Sequence, residues 1–202
     1  MKYFSIDLEM TGLDPNNHQI LEFAAIYEDT EIQLSWEEIP KFERIINHKE
    51  LIGSPGALNL NSRLVKILAG LEDVWGNDKK DYMEAYNIIG LSRLAGDFHQ
   101  FIYENLAKDP AFKSNKDGSI TINVAGKNFG TFDLQFINQI QGFRNKVRIS
   151  QRILDPAMLY FGHEDERLPD LLTCKERAGI KGKVTHKAIE DAWDVIELLR
   201  YA

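Results

Sequence analysis

Apolar and polar side chains alternate at the start of the chain, with Phe4, Ile6 and Leu8 at even positions and Tyr3, Ser5, Asp7 and Glu9 between them. A period of two predicts a strand over 2–9, and comparable β-rich runs predict strands near 19–28, 40–47, 119–125 and 148–154. Apolar residues recur at helical spacing near 81–107, 131–141, 156–161, 168–178 and 187–199. Three early strands followed by alternating helices and strands predict an α/β fold with a mixed central sheet flanked by helices. The stretch from Gly70 to Lys80, with Trp75-Gly76-Asn77-Asp78, is expected to be an exposed loop. Lys116-Asp117-Gly118 reads as a turn into the fourth strand, and Asp155-Pro156 as a helix start with aspartate at the N-cap and proline at N1. No internal repeat, low-complexity tract or linker interrupts the pattern, so 1–202 is expected to form a single domain.

Residues two apart on a strand share a face, so Asp7 and Glu9 point the same way, opposite the more apolar face. Two carboxylates at that range repel, and a divalent metal is the simplest group that reverses the repulsion; solvated acids on a half-exposed strand are the alternative. A third acid, Asp133, ends the segment Ala125-Gly126-Lys127-Asn128-Phe129-Gly130-Thr131-Phe132-Asp133, where a strand gives way to a helix. Thr131 is the expected N-cap there, and Asp133 in the first turn suits the helix dipole. Asp133 also flanks the apolar stripe Phe132, Phe136 and Ile140, where a carboxylate needs a partner. In the C-terminal helix, Ala188, Asp191, Ala192, Val195 and Leu199 share one face, while Lys187, Glu190, Asp194 and Glu197 share another. Asp191 is thus the acid on the apolar side, and a buried unpaired carboxylate is strongly unfavourable. The two alanines let this helix approach the sheet closely, carrying Asp191 towards Asp7 and Glu9, and His186 lies at or just before the helix start.

D-x-E on a first strand, N-x-x-x-F-D at a strand-helix junction and H-x-A-x-x-D opening a late helix together resemble the DEDDh group of 3′-to-5′ exonucleases, within the ribonuclease-H-like superfamily. Asp7-Leu8-Glu9-Met10-Thr11-Gly12-Leu13-Asp14-Pro15 looks most like the oligoribonuclease branch. Asn128 with Phe132-Asp133 looks more like the proofreading and RNase T branch, and Ile153 to Leu159 resembles the strand-to-helix segment that follows the second motif. The resemblance implies a ribonuclease-H-like sheet and a two-metal hydrolase of phosphodiester bonds using magnesium or manganese. It implies that Asp7, Glu9, Asp133 and Asp191 are the metal-associated acids, with Asp7 bridging both ions, and that His186 is the general base. It further implies a single-stranded DNA or RNA 3′ end as substrate, with nucleoside 5′-monophosphates released. Met10 and Thr11 follow the strand end and are expected to touch the terminal nucleotide. The resemblance implies the same for Asn128 and Phe129, and Leu58 and Asn61 are further candidates for base contact. A nuclease-fold subunit that binds a polymerase is the alternative reading, a homodimer is a candidate assembly, and a phosphoesterase acting on a small nucleotide would use the same acids.

Composition narrows the picture. At 202 residues and 44% hydrophobic content the chain can bury a sizeable core. The lone cysteine, Cys174, excludes an intrachain disulfide and reads as core-lining. There is no signal-peptide pattern and no apolar run of membrane-spanning length, which leads to the expectation of a cytoplasmic protein without membrane contact. A net charge of −7 argues against broad duplex wrapping but not against a narrow site for one strand end. Lys175, Arg177, Lys181, Lys183 and Lys187 face Glu176 alone, so this segment beside His186 is expected either to track a phosphate backbone or to be a solvated loop. His163-Glu164-Asp165-Glu166 reads as a solvated charge run rather than a metal site.

Overall fold

The first strand, β1 (Lys2–Met10), is covered on both faces, because each side of its alternation meets its own helix layer. It is antiparallel to β2 (Ile20–Asp29), which is antiparallel to β3 (Lys41–Asn47). The other pairings are parallel: β4 (Ile88–Gly90) on β3, β5 (Ile120–Ala125) on β1, and β6 (Val147–Leu154) on β5. The resulting mixed sheet has the order β4-β3-β2-β1-β5-β6. Nine helices complete the computed structural model, which describes residues 1–202: α1 (Pro55–Leu60), α2 (Ser62–Gly70), α3 (Gly76–Ala85), α4 (Leu91–Leu106), α5 (Asp133–Ile137), α6 (Phe143–Lys146), α7 (Ala157–Tyr160), α8 (Leu171–Ala178) and α9 (Ala188–Tyr201).

The even residues Phe4, Ile6, Leu8 and Met10 join the larger core, into which α4 sends Leu94, Phe98 and Ile102. Tyr3 faces the second core with Ala188, Ala192, Val195 and Ile196 of α9. Ala188 and Ala192 are fully buried, and the Ser5 hydroxyl donates to the Ala192 carbonyl at 2.7 Å, so helix and strand approach as closely as the small residues predict. The odd positions of β1, Asp7 and Glu9 among them, therefore look at α9.

The five expected strands and α9 are present. The expected helix over 81–107 is instead α3, β4 and α4. Asn87 turns the chain at φ +52°, and Ile88 and Ile89 pair with Ile45 and Ile46 in the sheet. Half of the expected loop at 70–80 is helical, α3 beginning at Gly76 after the exposed Trp75. The expected helix over 131–141 shortens to α5. Thr131 is not its cap, because its hydroxyl is engaged with the carbonyl and side chain of Asn128 and the helix begins two residues later. The start of α7 lies one residue later than expected, with Pro156 rather than Asp155 at the N-cap, although Asp155 still accepts from the Ala157 N–H at 2.9 Å; Asp117 closes the turn before β5 through Ser119. Cys174 is buried in a small cluster with Ala157 and Leu198, as read.

One glycine is fixed by a close approach. A Cβ on Gly126, just past β5, would lie 2.8 Å from the Ile6 carbonyl oxygen and 2.7 Å from the Phe129 Cβ. Gly126→Ala is expected to destabilise the protein by about 1–3 kcal/mol, read from the urea midpoint, because backbone rather than a flexible side chain must give way. An unchanged midpoint would mean that the loop relaxes freely.

Candidate active site

At its C-terminal end β1 carries a register shift between Glu9 and Met10: Glu9 faces Glu22 of β2, and Met10 faces Ile20. Bulges re-aim side chains where pairing ends, and here the irregularity follows the two acids directly. Asp7 is half-buried and Glu9 is only 7% exposed. Asp133 is the first residue of α5 and is 4% exposed. The segment delivering it starts at Gly126, whose N–H donates to the Leu154 carbonyl. It is pinned again where Asn128, at φ +62°, donates its N–H to the Asp155 carboxylate at 2.9 Å. Asp191, in the first turn of α9, is 7% exposed on the sheet-facing side, as its helical position predicts. His186 is exposed, two residues before the helix, at a left-handed φ of +53° that a residue with a Cβ adopts only under constraint.

These groups form one electrostatic unit. Burial, followed by the charges of Asp133, Asp191, Glu9 and Glu22, raises the Asp7 carboxyl well above the ordinary aspartate range. Burial pushes Glu9 to about 7, with Asp191 adding to the rise and the Asn61 side chain opposing it. Burial likewise raises Asp133 to about 7 against backbone hydrogen bonding at Leu8 and its own residue. Asp191 reaches about 6, raised first by burial and then by Asp194, with Thr185 and His186 holding it down. Such a cluster stores repulsion that a cation would release.

The residues fit a divalent metal. Ligand atoms of Glu9, His186 and Asp191 lie within 4.8 Å of one another, and the buried Asp191 Oδ1 has no hydrogen-bond partner in the protein. A donor set dominated by carboxylate oxygens suits hard cations such as magnesium or manganese.

The expected substrate contacts divide. Asn128 is exposed and Leu58 half-buried, so both offer surface. Met10, Thr11 and Phe129 do not, which corrects the expectation for each. Met10 and Phe129 are packed into the larger core. Thr11 is fully buried, donating its hydroxyl to the Ile52 carbonyl at 2.6 Å and accepting from the Gln19 N–H at 2.8 Å, so it braces the loop after β1. Asn61 is buried and donates to the Met10 carbonyl at 3.1 Å, which makes it a brace for the strand end.

The basic segment is also corrected. Lys175 is buried and paired with Asp194 at 2.5 Å, Arg177 grips Asp165 with two nitrogens, and Lys187 pairs with Glu190. Asp194 is accordingly buried, not on a solvent face, and Asp165 is an anchor for α8 rather than part of a solvated run. Lys181 and Lys183 are the lysines of the segment left without an ion pair. Sequence reasoning missed Glu22 altogether, although its signal was there: a single charge inside the apolar run Ile20 to Ile26.

The RNase_T exonuclease family model matches residues 4–55, the segment that holds β1, β2 and β3. A search of curated protein sequences gives no match. Solved exonuclease I structures share the fold across nearly the whole chain. A zinc-bound Escherichia coli exonuclease I complex with single-stranded DNA aligns at 17% identity and a TM-score of 0.62, covering 99% of this chain and 40% of that one. A product-bound exonuclease I aligns at 16% and 0.63, covering 99% and 42%. The moderately thermophilic enzyme of Methylocaldum szegediense aligns at 15% and 0.59, covering 99% and 40%. The chain thus spans about two fifths of the length of these proteins. An exonuclease family model is thus seated on the strand that bears Asp7 and Glu9, and the whole chain shares the exonuclease I fold, a mixed sheet flanked by helices.

Proposed function

We propose that this chain is a metal-dependent 3′-to-5′ exonuclease that removes nucleoside 5′-monophosphates from single-stranded DNA or RNA, with residues 1–202 working as one exonuclease domain. The observation that carries the reading is the gathering of Asp7, Glu9, Asp133 and Asp191 at one end of β1, with His186 within reach of Glu9 and Asp191. The four carboxylates would hold two magnesium or manganese ions, whose chemistry is to stabilise the attacking and leaving oxygens of the phosphodiester together. Asp7, with the other acids around it, would be among the ligands, and the orphaned Oδ1 of Asp191 would find a partner there. His186 takes the proton of the attacking water on an imidazole nitrogen, a role that suits an exposed side chain ahead of a fixed helix. Asn128 and Leu58 are the side chains offered to the terminal nucleotide. The braced Thr11 and Asn61 keep the loop beneath it in place.

Most of the cations beside His186 are already paired within the protein, and the net charge is −7, so few phosphate contacts remain for a long strand. Short oligonucleotides should therefore be cut at least as well as long ones, with a shallow salt dependence. A ladder of 5′-labelled DNA and RNA strands from dinucleotides to thirty-mers, with free and phosphorylated 3′ ends, tests the reading. Stepwise shortening from a free 3′ end is the expected pattern. Internal cuts or removal from the 5′ end would refute it, and steep gains with length would reject the short-substrate preference.

A further inference from the structure

Glu22 is a charged group at the site that none of the three motifs contains. It faces Glu9 across the β1–β2 ladder, and its side chain is completely shielded from solvent. A carboxylate buried beside other carboxylates needs strong compensation, and it is compensated from two sides. Arg63 of α2 places Nη2 at 2.7 and 2.9 Å from its two oxygens. The N–H of Ala188, the first residue of α9, donates to its Oε2 at 3.2 Å. That helix has no side-chain cap at Lys187, so Glu22 supplies from the sheet both the acceptor and the negative charge that a helix start favours.

His186 sits two residues before Ala188, at the left-handed φ already noted. Wherever the first turn of α9 is fixed, the reach of the histidine is fixed with it. Arg63 in turn lies two residues beyond Asn61, which is tied to the carbonyl at the end of β1. Arg63, Glu22 and Ala188 thus form a continuous chain from the α1–α2 segment, beside the strand end, to the start of the helix that follows the histidine.

We propose that Glu22 and Arg63 are positioning residues that set the placement of His186, so that a nucleotide seated against α1 and α2 bears on the proton-accepting group through the Arg63–Glu22–Ala188 link. The inference rests on the reading of His186 given above. Two variants test it: Arg63→Met, which keeps the stem and removes the charge, and Glu22→Gln, which keeps an oxygen for the Ala188 N–H and loses the ion pair. Each should lower turnover roughly 10- to 100-fold with KM changed less than about threefold, and Arg63→Lys should restore part of the loss. Combined with His186→Ala, either variant should add little further loss, because the histidine is already misplaced; a merely structural role would give losses that multiply. Independently of activity, amide hydrogen exchange over 188–191 should accelerate about tenfold or more in Arg63→Met while the β1–β2 amides keep their protection. Unchanged exchange or multiplying losses would overturn the proposal. A wild-type protein without nuclease activity would strike the proposed function alone, and the exchange result would then decide whether the link holds the helix start.

Discussion

Asp7→Asn should abolish nuclease activity, by at least roughly 10³-fold, while making the metal-free protein more stable than the wild type. The two effects have one cause. Asp7 is the carboxyl most compressed by its neighbours, so removing its charge relieves Asp133, Asp191 and Glu9 together but deprives a bound cation of its central ligand. The metal-free thermal midpoint should rise by roughly 3–8 °C, and calorimetry should find weaker metal binding. The same repulsion sets a pH dependence. Glu9 and Asp133 near 7 and Asp191 near 6 lie above the values of these side chains in an unfolded chain, about 4. Between pH 4 and 7 the folded state therefore binds more protons, so the metal-free protein should gain stability as pH falls through that window and lose it as pH rises. Saturating magnesium should flatten the curve. Full activity in Asp7→Asn, or in the presence of a chelator, would remove the metal-site reading.

His186→Ala should lower turnover by roughly 10²–10⁴ with metal affinity changed far less, since four carboxylates remain. The left-handed backbone at this position makes a control necessary, because alanine is strained there as well as lacking the imidazole. His186→Asn supplies it: asparagine tolerates that conformation and cannot act as the base, so it should be as slow as the alanine variant. If asparagine recovers the rate, the loss in alanine came from the backbone. If metal affinity collapses in both variants, the imidazole is a ligand rather than a base, as its closeness to Glu9 and Asp191 would allow.

The strands were legible because their periodicity and burial agree. β1, β2, β3, β5 and β6 fall close to the positions that alternation predicts, and Asp191 stood out as an acid on an apolar helix face. β4 was not legible, because Ile88 and Ile89 fit a helical stripe as well as a strand and only their pairing with β3 decides between them. α1 buries no residue, which leaves it without a hydrophobic signature. Its start was nonetheless written in Ser54-Pro55, the serine capping the Ala57 N–H and the proline at the first position. Phe129 and Thr11 were misjudged for a different reason: proximity in sequence to a catalytic motif says nothing of the direction a side chain takes. The apparent basic patch failed because a count of charges along the chain omits the acids that folding brings opposite them, namely Asp194, Asp165 and Glu190.

The Lys175–Asp194 pair between α8 and α9 also constrains how this sequence can drift. Both side chains are almost entirely enclosed, so losing either one alone strands a charge and costs about 3–5 kcal/mol, a large part of the stability of a domain this size. Replacing both with apolar residues of similar volume carries no such penalty, because the lost attraction and the regained desolvation nearly cancel. A lineage can therefore exchange the ion pair for an apolar contact only through a much weakened intermediate or by two changes at once. The helix that bears Asp191 is held in place by a barrier to substitution as much as by the energy of the contact itself.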